Sequence, residues 1–307
     1  MGEYVIETRN LSKIYSKDTV VNSVDMHVEK GKIYGLLGKN GAGKTTTMCM
    51  LLNLISPSSG EILLFGKNPG KYSTEVYSKI GSIIETPGFY ENLTAYENLK
   101  VLAKLRGNYN PQNINLVLEM VNLENAKSKK FKDFSLGMKQ RLGIAAAIMH
   151  TPELLILDEP INGLDPIGIK EIRTLLKRLT HEFGITILIS SHILSEIENI
   201  ADIIGFMDEG VLIEEISKED LFKRLDKFVE FEVSDIDLAC NILKKLELKE
   251  NYDFIIDRNE GILRLYSRLE LRDRFNAIFV NSGINVKKVN LCEENLENFF
   301  LRMIQNN

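Results

Sequence analysis

The chain lacks tryptophan altogether and carries only three cysteines, four histidines and seven prolines among 307 residues. Cys49, Cys240 and Cys292 are odd in number, widely spaced and never arranged as C-x-x-C. That pattern excludes a disulfide framework or thiolate metal site and points to small buried thiols in a reducing compartment. Long apolar runs are missing too. The longest uncharged ones, 142–149 and 184–191, fall far short of the roughly 18 residues that a bilayer-crossing helix needs. The opening MGEYVIETRN brings in an acid at once and has no apolar core, so no secretory leader is expected and the chain should stay in the cytosol. Charge of one sign is also absent. Basic residues number 38 against 43 acidic ones, divided 23 to 26 before Ser217 and 15 to 17 from there on. With no basic tract, a surface tracking nucleic-acid phosphates is not expected.

What is present suits a globular protein: 44% hydrophobic and 26% charged residues can bury one large core or two of common size. Residues 4–8 and 32–37 read as strands, and Ser59-Gly60 introduces another over 61–65. The stretch 94–130 has a helical pattern. Thr94 followed by Glu97 forms a capping box, Leu99, Leu102 and Leu105 supply an apolar stripe, and residues 108–111 interrupt it. Met138, Leu142, Ala145 and Met149 line one face of a helix capped by Ser135. Residues 154–157 form a fully apolar strand, Asp165-Pro166 opens a helix to about 182, and 185–189 is a second buried strand. Such alternation implies an α/β fold with a mainly parallel sheet. Asp208-Glu209-Gly210 reads as a hairpin turn. Beyond a linker near 214–220 the character changes: 228–233 and 262–266 alternate like strands, and 236–246 and 269–281 look helical. A small α+β domain over 217–307 is expected after a first domain over 1–216, with residues 293–304 as an amphipathic helix closing its core.

Chemistry concentrates in the first domain. Gly38-Lys39-Asn40-Gly41-Ala42-Gly43-Lys44-Thr45 fits G-x-x-x-x-G-K-[ST] and stands between an apolar strand and a helical segment beginning at Thr46. Glycines let the backbone close around phosphate oxygens, successive N–H groups point at the anion, Lys44 adds a cation, and the Thr45 hydroxyl can ligate Mg²⁺. More than a hundred residues later, Asp158 ends the apolar strand. A carboxylate there is costly unless it meets a cation, which makes it the metal-side acid. Glu159, one residue on, is placed to polarise a water for in-line attack on a γ-phosphate. Together the two motifs indicate hydrolysis of a nucleoside triphosphate.

Three further motifs make residues 3–216 resemble the ATPase subunit of an ABC transporter. Phe134-Ser135-Leu136-Gly137-Met138-Lys139-Gln140-Arg141 stands where that family has its LSGGQ signature. Asn162-Gly163-Leu164-Asp165 resembles the D-loop, and Ser190-Ser191-His192 the switch-histidine segment. The resemblance implies a P-loop ABC-type ATPase domain whose mainly parallel sheet is joined by an antiparallel β subdomain and a helical subdomain. It implies ATP and Mg²⁺ as cofactors, adenine stacking on Tyr15, and γ-phosphate sensing by His192. It further implies that Ser135, Gly137 and Asp165 serve the nucleotide held by a second ATPase subunit, identical or paralogous, in a head-to-tail dimer.

Leu136 and Met138 depart from LSGGQ, while Ser135 and Gly137 are kept. Glu85 stands where most of the family has a glutamine that touches Mg²⁺ or the attacking water. An anion there would bind Mg²⁺ more tightly yet repel phosphates when the metal is missing. The run Glu85-Thr86-Pro87-Gly88-Phe89-Tyr90, with Asn92-Leu93-Thr94-Ala95 and 135–140, resembles the bacitracin-resistance and lantibiotic-immunity branch. This implies an ATPase that powers export of a peptide antibiotic through separate integral membrane permeases, sitting on the inner face of the bacterial membrane. Residues 90–106 are the expected permease-docking segment. The competing expectations are a permease-free ATPase of the same superfamily and an exporter of another cargo such as lipid or drug. Coiled-coil insertions or tandem ATPase domains would favour the permease-free form; the chain has a single phosphate loop and no sustained heptads.

Overall fold

The structure, a computed structural model, describes residues 3–70, 72–85, 88–107, 109–225, 227–250, 252–293 and Phe299. The chain divides into two compact units, the first ending at Lys218 and the second beginning at Glu219. Among the described residues, no helix is long and apolar enough to cross a membrane.

The first unit opens with β1 (Tyr4–Tyr15), β2 (Asp18–Val24) and β3 (His27–Glu29), followed by β4 (Ile33–Leu37), α1 (Lys44–Leu51) and β5 (Ser59–Leu64). β2, β3 and β5 all pair antiparallel with β1. β1, with 12 residues, is more than twice the length of the strand expected over 4–8. Its reading stopped at the polar Arg9-Asn10, where Asn10 takes φ +47° and the register with β5 shifts between Arg9 and Ser12. A bulge carries the strand past polar residues that read as a break. β2 and β3 had no strong signal either, since only Val21, Val24 and Val28 of them are buried.

Next come α2 (Ser73–Tyr77), β6 (Ile80–Ile83), α3 (Ala95–Leu105), α4 (Pro111–Met120), α5 (Leu136–Ile148), β7 (Leu154–Leu157) and α6 (Pro166–Phe183). They are followed by β8 (Thr186–Ser191), α7 (Leu194–Ile200), β9 (Ile203–Asp208) and β10 (Val211–Ser217). The central sheet runs β10-β9-β4-β8-β7-β6, antiparallel only between β10 and β9. Every residue of β4, β7 and β8 is buried, as befits strands covered on both faces. At the β9–β10 hairpin, Glu209 and Gly210 have φ +44° and +84°, matching the expected tight turn.

The helical stretch expected over 94–130 is two helices and a single 3₁₀ turn at Glu124–Ala126. Thr94 and Glu97 make the reciprocal capping box of α3. Asn110 caps α4, and Pro111 occupies its first turn, where a missing N–H costs nothing.

The second unit contains α8 (Lys218–Arg224, its first residue shared with the first unit), β11 (Lys227–Val233), α9 (Ile236–Lys245), β12 (Phe254–Asp257), β13 (Ile262–Leu265), α10 (Arg272–Asn281) and β14 (Val286–Glu293). Its antiparallel sheet runs β12-β13-β11-β14, giving the split β-α-β arrangement of ferredoxin-like folds. Val229, Phe231 and Val233 face one side with Leu263 and Leu265, and they pack on Ala239 and Leu243 of α9 and Phe275 and Phe279 of α10. β12 and β14 were not expected from the sequence; β14 carries two consecutive lysines. Of the helix expected over 293–304, Glu293 instead ends strand β14, Phe299 is buried, and the remainder lies outside the described residues.

Candidate functional site

β4 ends at Leu37 and α1 starts at Lys44, leaving six residues to make the turn. Two of its glycines are imposed by packing. A Cβ on Gly38 would lie 2.3 Å from the Met207 carbonyl oxygen, and one on Gly43, at φ +99°, would lie 2.7 Å from that of Val20. Gly43 caps α1 without a side chain, so no hydroxyl or carboxylate occupies the amides of the first turn. Those amides, at the positive end of the helix dipole, are a site for anionic oxygens.

Lys44 is 5% exposed. Its ammonium donates to the carbonyls of Gly38, 2.6 Å away, and Lys39, 3.1 Å away, and lies 3.4 Å from Glu159 Oε1. Asp158, at the end of β7, accepts from the Thr45 hydroxyl at 2.7 Å with one oxygen and from the Ser190 hydroxyl at 2.6 Å with the other. Ser190 Oγ also accepts from the backbone N–H of Glu159 at 2.9 Å. One serine on β8 therefore holds both acids in place.

Glu159 adopts φ +47°, a left-handed backbone that is strained for a residue with a Cβ. The twist ends the alternation of β7 and swings the carboxylate inward. There it meets Lys44 and, through Oε2, His192 Nδ1 at 2.9 Å. Behind this pair, Ser191 donates to the buried Glu196 at 3.2 Å, and burial pushes the Glu196 carboxyl above its usual range. Glu85 is exposed and takes φ +63°, and among the described residues no hydrogen bond or ion pair joins it to these groups.

The structure thus joins Lys44, Thr45, Asp158, Glu159 and His192 into one bonded cluster. It does not do so for Tyr15, Ser135, Gly137 or Asp165: among the described residues, no hydrogen bond or ion pair links them to that cluster. Ser135 caps α5 through Met138 N–H at 3.3 Å, and Asp165 caps α6 through Gly168 N–H at 3.0 Å. Lys39, Asn40 and Gly41 lie exposed on the turn, Ala42 is buried, and Thr46 is half-buried on α1. One contributor, Ser190, was read from sequence only as part of a motif. Among the described residues, no group of three or more His, Cys, Asp or Glu is placed to hold a metal. The donors on offer are instead Thr45 Oγ1 and Asp158 Oδ2, two hard oxygens of the kind Mg²⁺ takes alongside phosphates and water.

Comparison with known proteins decides the family. The family model described as ABC transporter matches residues 21–162. The bacitracin transport ATP-binding protein BcrA of Enterococcus faecalis is 56% identical over 302 residues, 98% of this chain and 97% of that one. The chain belongs to the ABC transporter ATPase family. A lantibiotic transport ATP-binding protein of Streptococcus pyogenes, SrtF, is 50% identical over 209 residues, covering 68% of this ABC ATPase and 89% of that relative. Among solved structures, an ATP-binding subunit of an ABC transporter superposes with a TM-score of 0.63 at 30% identity, covering 72% of this chain and 92% of that one.

Proposed function

We propose that the chain is the ATP-hydrolysing subunit of an exporter that expels a peptide antibiotic of the bacitracin or lantibiotic class through separate membrane permeases. The observation that carries the catalytic reading is the cluster in which Glu159 is held between Lys44 and His192 while Asp158 is held by Thr45 and Ser190. The cargo reading is supported by the relatives named for bacitracin and lantibiotic transport. Residues 1–216 form the ATPase cassette and 217–307 an accessory domain, the whole docked on the inner face of the membrane through residues 90–106.

In this reading the backbone of 38–43 and the first amides of α1, with Thr46 beside them, cradle the phosphates of ATP, and Tyr15 stacks on adenine. Lys44 exchanges its loop carbonyls for β- and γ-phosphate oxygens, which releases Glu159 to orient the attacking water. His192, bonded to the same carboxylate, senses whether the γ-phosphate is present. Thr45, Asp158 and Glu85 would hold Mg²⁺, whose charge offsets that developing on the phosphates when it is bound. Ser135, Gly137 and Asp165, remote from their own chain's cluster, act on the nucleotide of a second subunit.

Two measurements test this. Ser135→Arg should abolish steady-state ATP hydrolysis while nucleotide binding to the monomer persists, and should remove antibiotic tolerance from cells expressing the chain with its permease. Persistent hydrolysis would refute the two-subunit site. Glu85→Gln should shift the Mg²⁺ dependence of hydrolysis to higher concentration, and superimposable curves would remove Glu85 from the metal site.

A further inference from the structure

Tyr15 ends β1 and is 43% exposed, so a large aromatic ring meets solvent there. A ring offers two faces to a ligand, and one face of Tyr15 is already taken. The Lys13 ammonium stands 4.8 Å from the ring centre, the range in which a cation is held by the negative face of an aromatic ring.

Lys13 is anchored in that position. A lysine free in solvent samples many rotamers and would seldom stay over one ring. Here the ammonium donates to the Ser56 carbonyl at 2.7 Å, in the segment between α1 and β5. The same segment is stapled to β1 through Ser58, whose N–H donates to the Ser12 carbonyl at 2.8 Å and whose hydroxyl oxygen accepts from the Ile14 N–H at 3.0 Å. The residues on both sides of Lys13 are thus tied to the stretch that fixes its ammonium. That stretch follows α1, the helix that begins at the phosphate loop. The nature of the anchor matters as well. Lys79 over the Phe65 ring is paired with Glu153 at 2.9 Å, an anion that offsets its charge. The anchor of Lys13 is a neutral carbonyl, and among the described residues no carboxylate forms an ion pair with it, so its charge acts on the ring.

We infer that Lys13 is a positioning residue for the base of ATP: it closes one face of Tyr15 and leaves the other for the purine. The inference rests on the reading that Tyr15 stacks on adenine, and adds the group that decides which face is used and how strongly. A cation over one face draws π density toward itself. The opposite face is then less negative, which lowers the repulsion that two electron-rich rings meet when they stack. Lys13 acts through the ring and not on the phosphates.

The test is equilibrium binding to the free full-length chain, with Mg²⁺-ATP and Mg²⁺-tripolyphosphate as paired probes, the second lacking a base. Lys13→Met should weaken ATP binding about three- to tenfold and leave tripolyphosphate binding unchanged, which also reports an intact fold. Lys13→Arg, which keeps the cation, should bind ATP as the wild type does. In a Tyr15→Leu background, Lys13→Met should weaken ATP binding no further. Equal weakening of both probes, an equal loss in Lys13→Arg, or a loss that persists without the Tyr15 ring would overturn the inference, since a lysine serving the phosphates or the fold gives those results. Unchanged ATP binding by Lys13→Met, where Tyr15→Leu weakens it, would overturn the role of Lys13 and leave the stacking reading in place. ATP binding by Tyr15→Leu at the wild-type level would overturn the stacking reading and this inference together.

Discussion

The two units handle polarity in opposite ways. The ATPase unit buries Lys44, Asp158, Ser190, Ser191 and Glu196, each no more than 8% exposed, and joins Ser190 to Asp158 and Ser191 to Glu196 by hydrogen bonds. In the ferredoxin-like unit, no side chain classed as polar or charged is buried among the described residues. Its ion pairs, such as Arg264 with Glu230 and Lys287 with Glu232, lie on partly open strands. Burying polar groups costs stability unless each finds a partner, and here Thr45 and Ser190 supply it to Asp158 and Ser191 to Glu196. Among the described residues, the other unit buries only apolar side chains under its hydrogen-bonded sheet, and its charges stay at the surface.

Substitutions can break that comparison, and the largest effect is expected at Glu159. Glu159→Gln keeps the shape of the side chain but removes the charge that meets Lys44 and His192. Turnover should fall roughly 10²- to 10⁴-fold with ATP affinity little changed, measured by single-turnover hydrolysis beside equilibrium binding. Near-normal turnover would mean that the buried cluster is structural, like the core of the other unit.

Phe231→Ala probes that core. Phe231 is fully buried and meets Phe279 edge-on, with ring centres 5.3 Å apart. Its loss should destabilise the second unit by about 3–5 kcal/mol. Calorimetry should show one transition moving down while the transition raised by nucleotide stays in place. Movement of both would show that the units do not unfold separately.

The smallest effect is expected at Glu196. Its folded pKa is raised above the unfolded value, so the folded state holds the proton more tightly, and stability falls as pH climbs through the folded pKa. Glu196→Gln lacks this titration. Its Tm should exceed that of wild type at pH 7, by no more than roughly 4 °C, and the difference should vanish below pH 4.5. A variant less stable than wild type at pH 7 would show that the bond from Ser191 to the ionised carboxylate outweighs burial.

Features set by neighbours in the chain could be read directly. The caps by Thr94, Ser135 and Asp165 each span three residues, and Gly41, at φ +86°, answers a local demand for a tight turn, whereas Gly38 and Gly43 answer to Met207 and Val20 from other strands. Asp158 could be read because a lone acid ending an apolar strand calls for a cation. The β1 bulge, β12 and β14 could not, since their pairing energy comes from strands distant in sequence and their own composition is polar or short.

Sequence alone therefore determined which residues could bind phosphate, where the main helices begin, and that a mainly parallel sheet lies between them. Only the tertiary structure decided that Thr45 meets Asp158 across 113 residues, that Ser190 holds both acids, and that Glu159 turns through a left-handed backbone toward Lys44. Local conformation follows from near neighbours and solvent, whereas the pairing of buried charges is settled when distant strands come into register and exclude water around them.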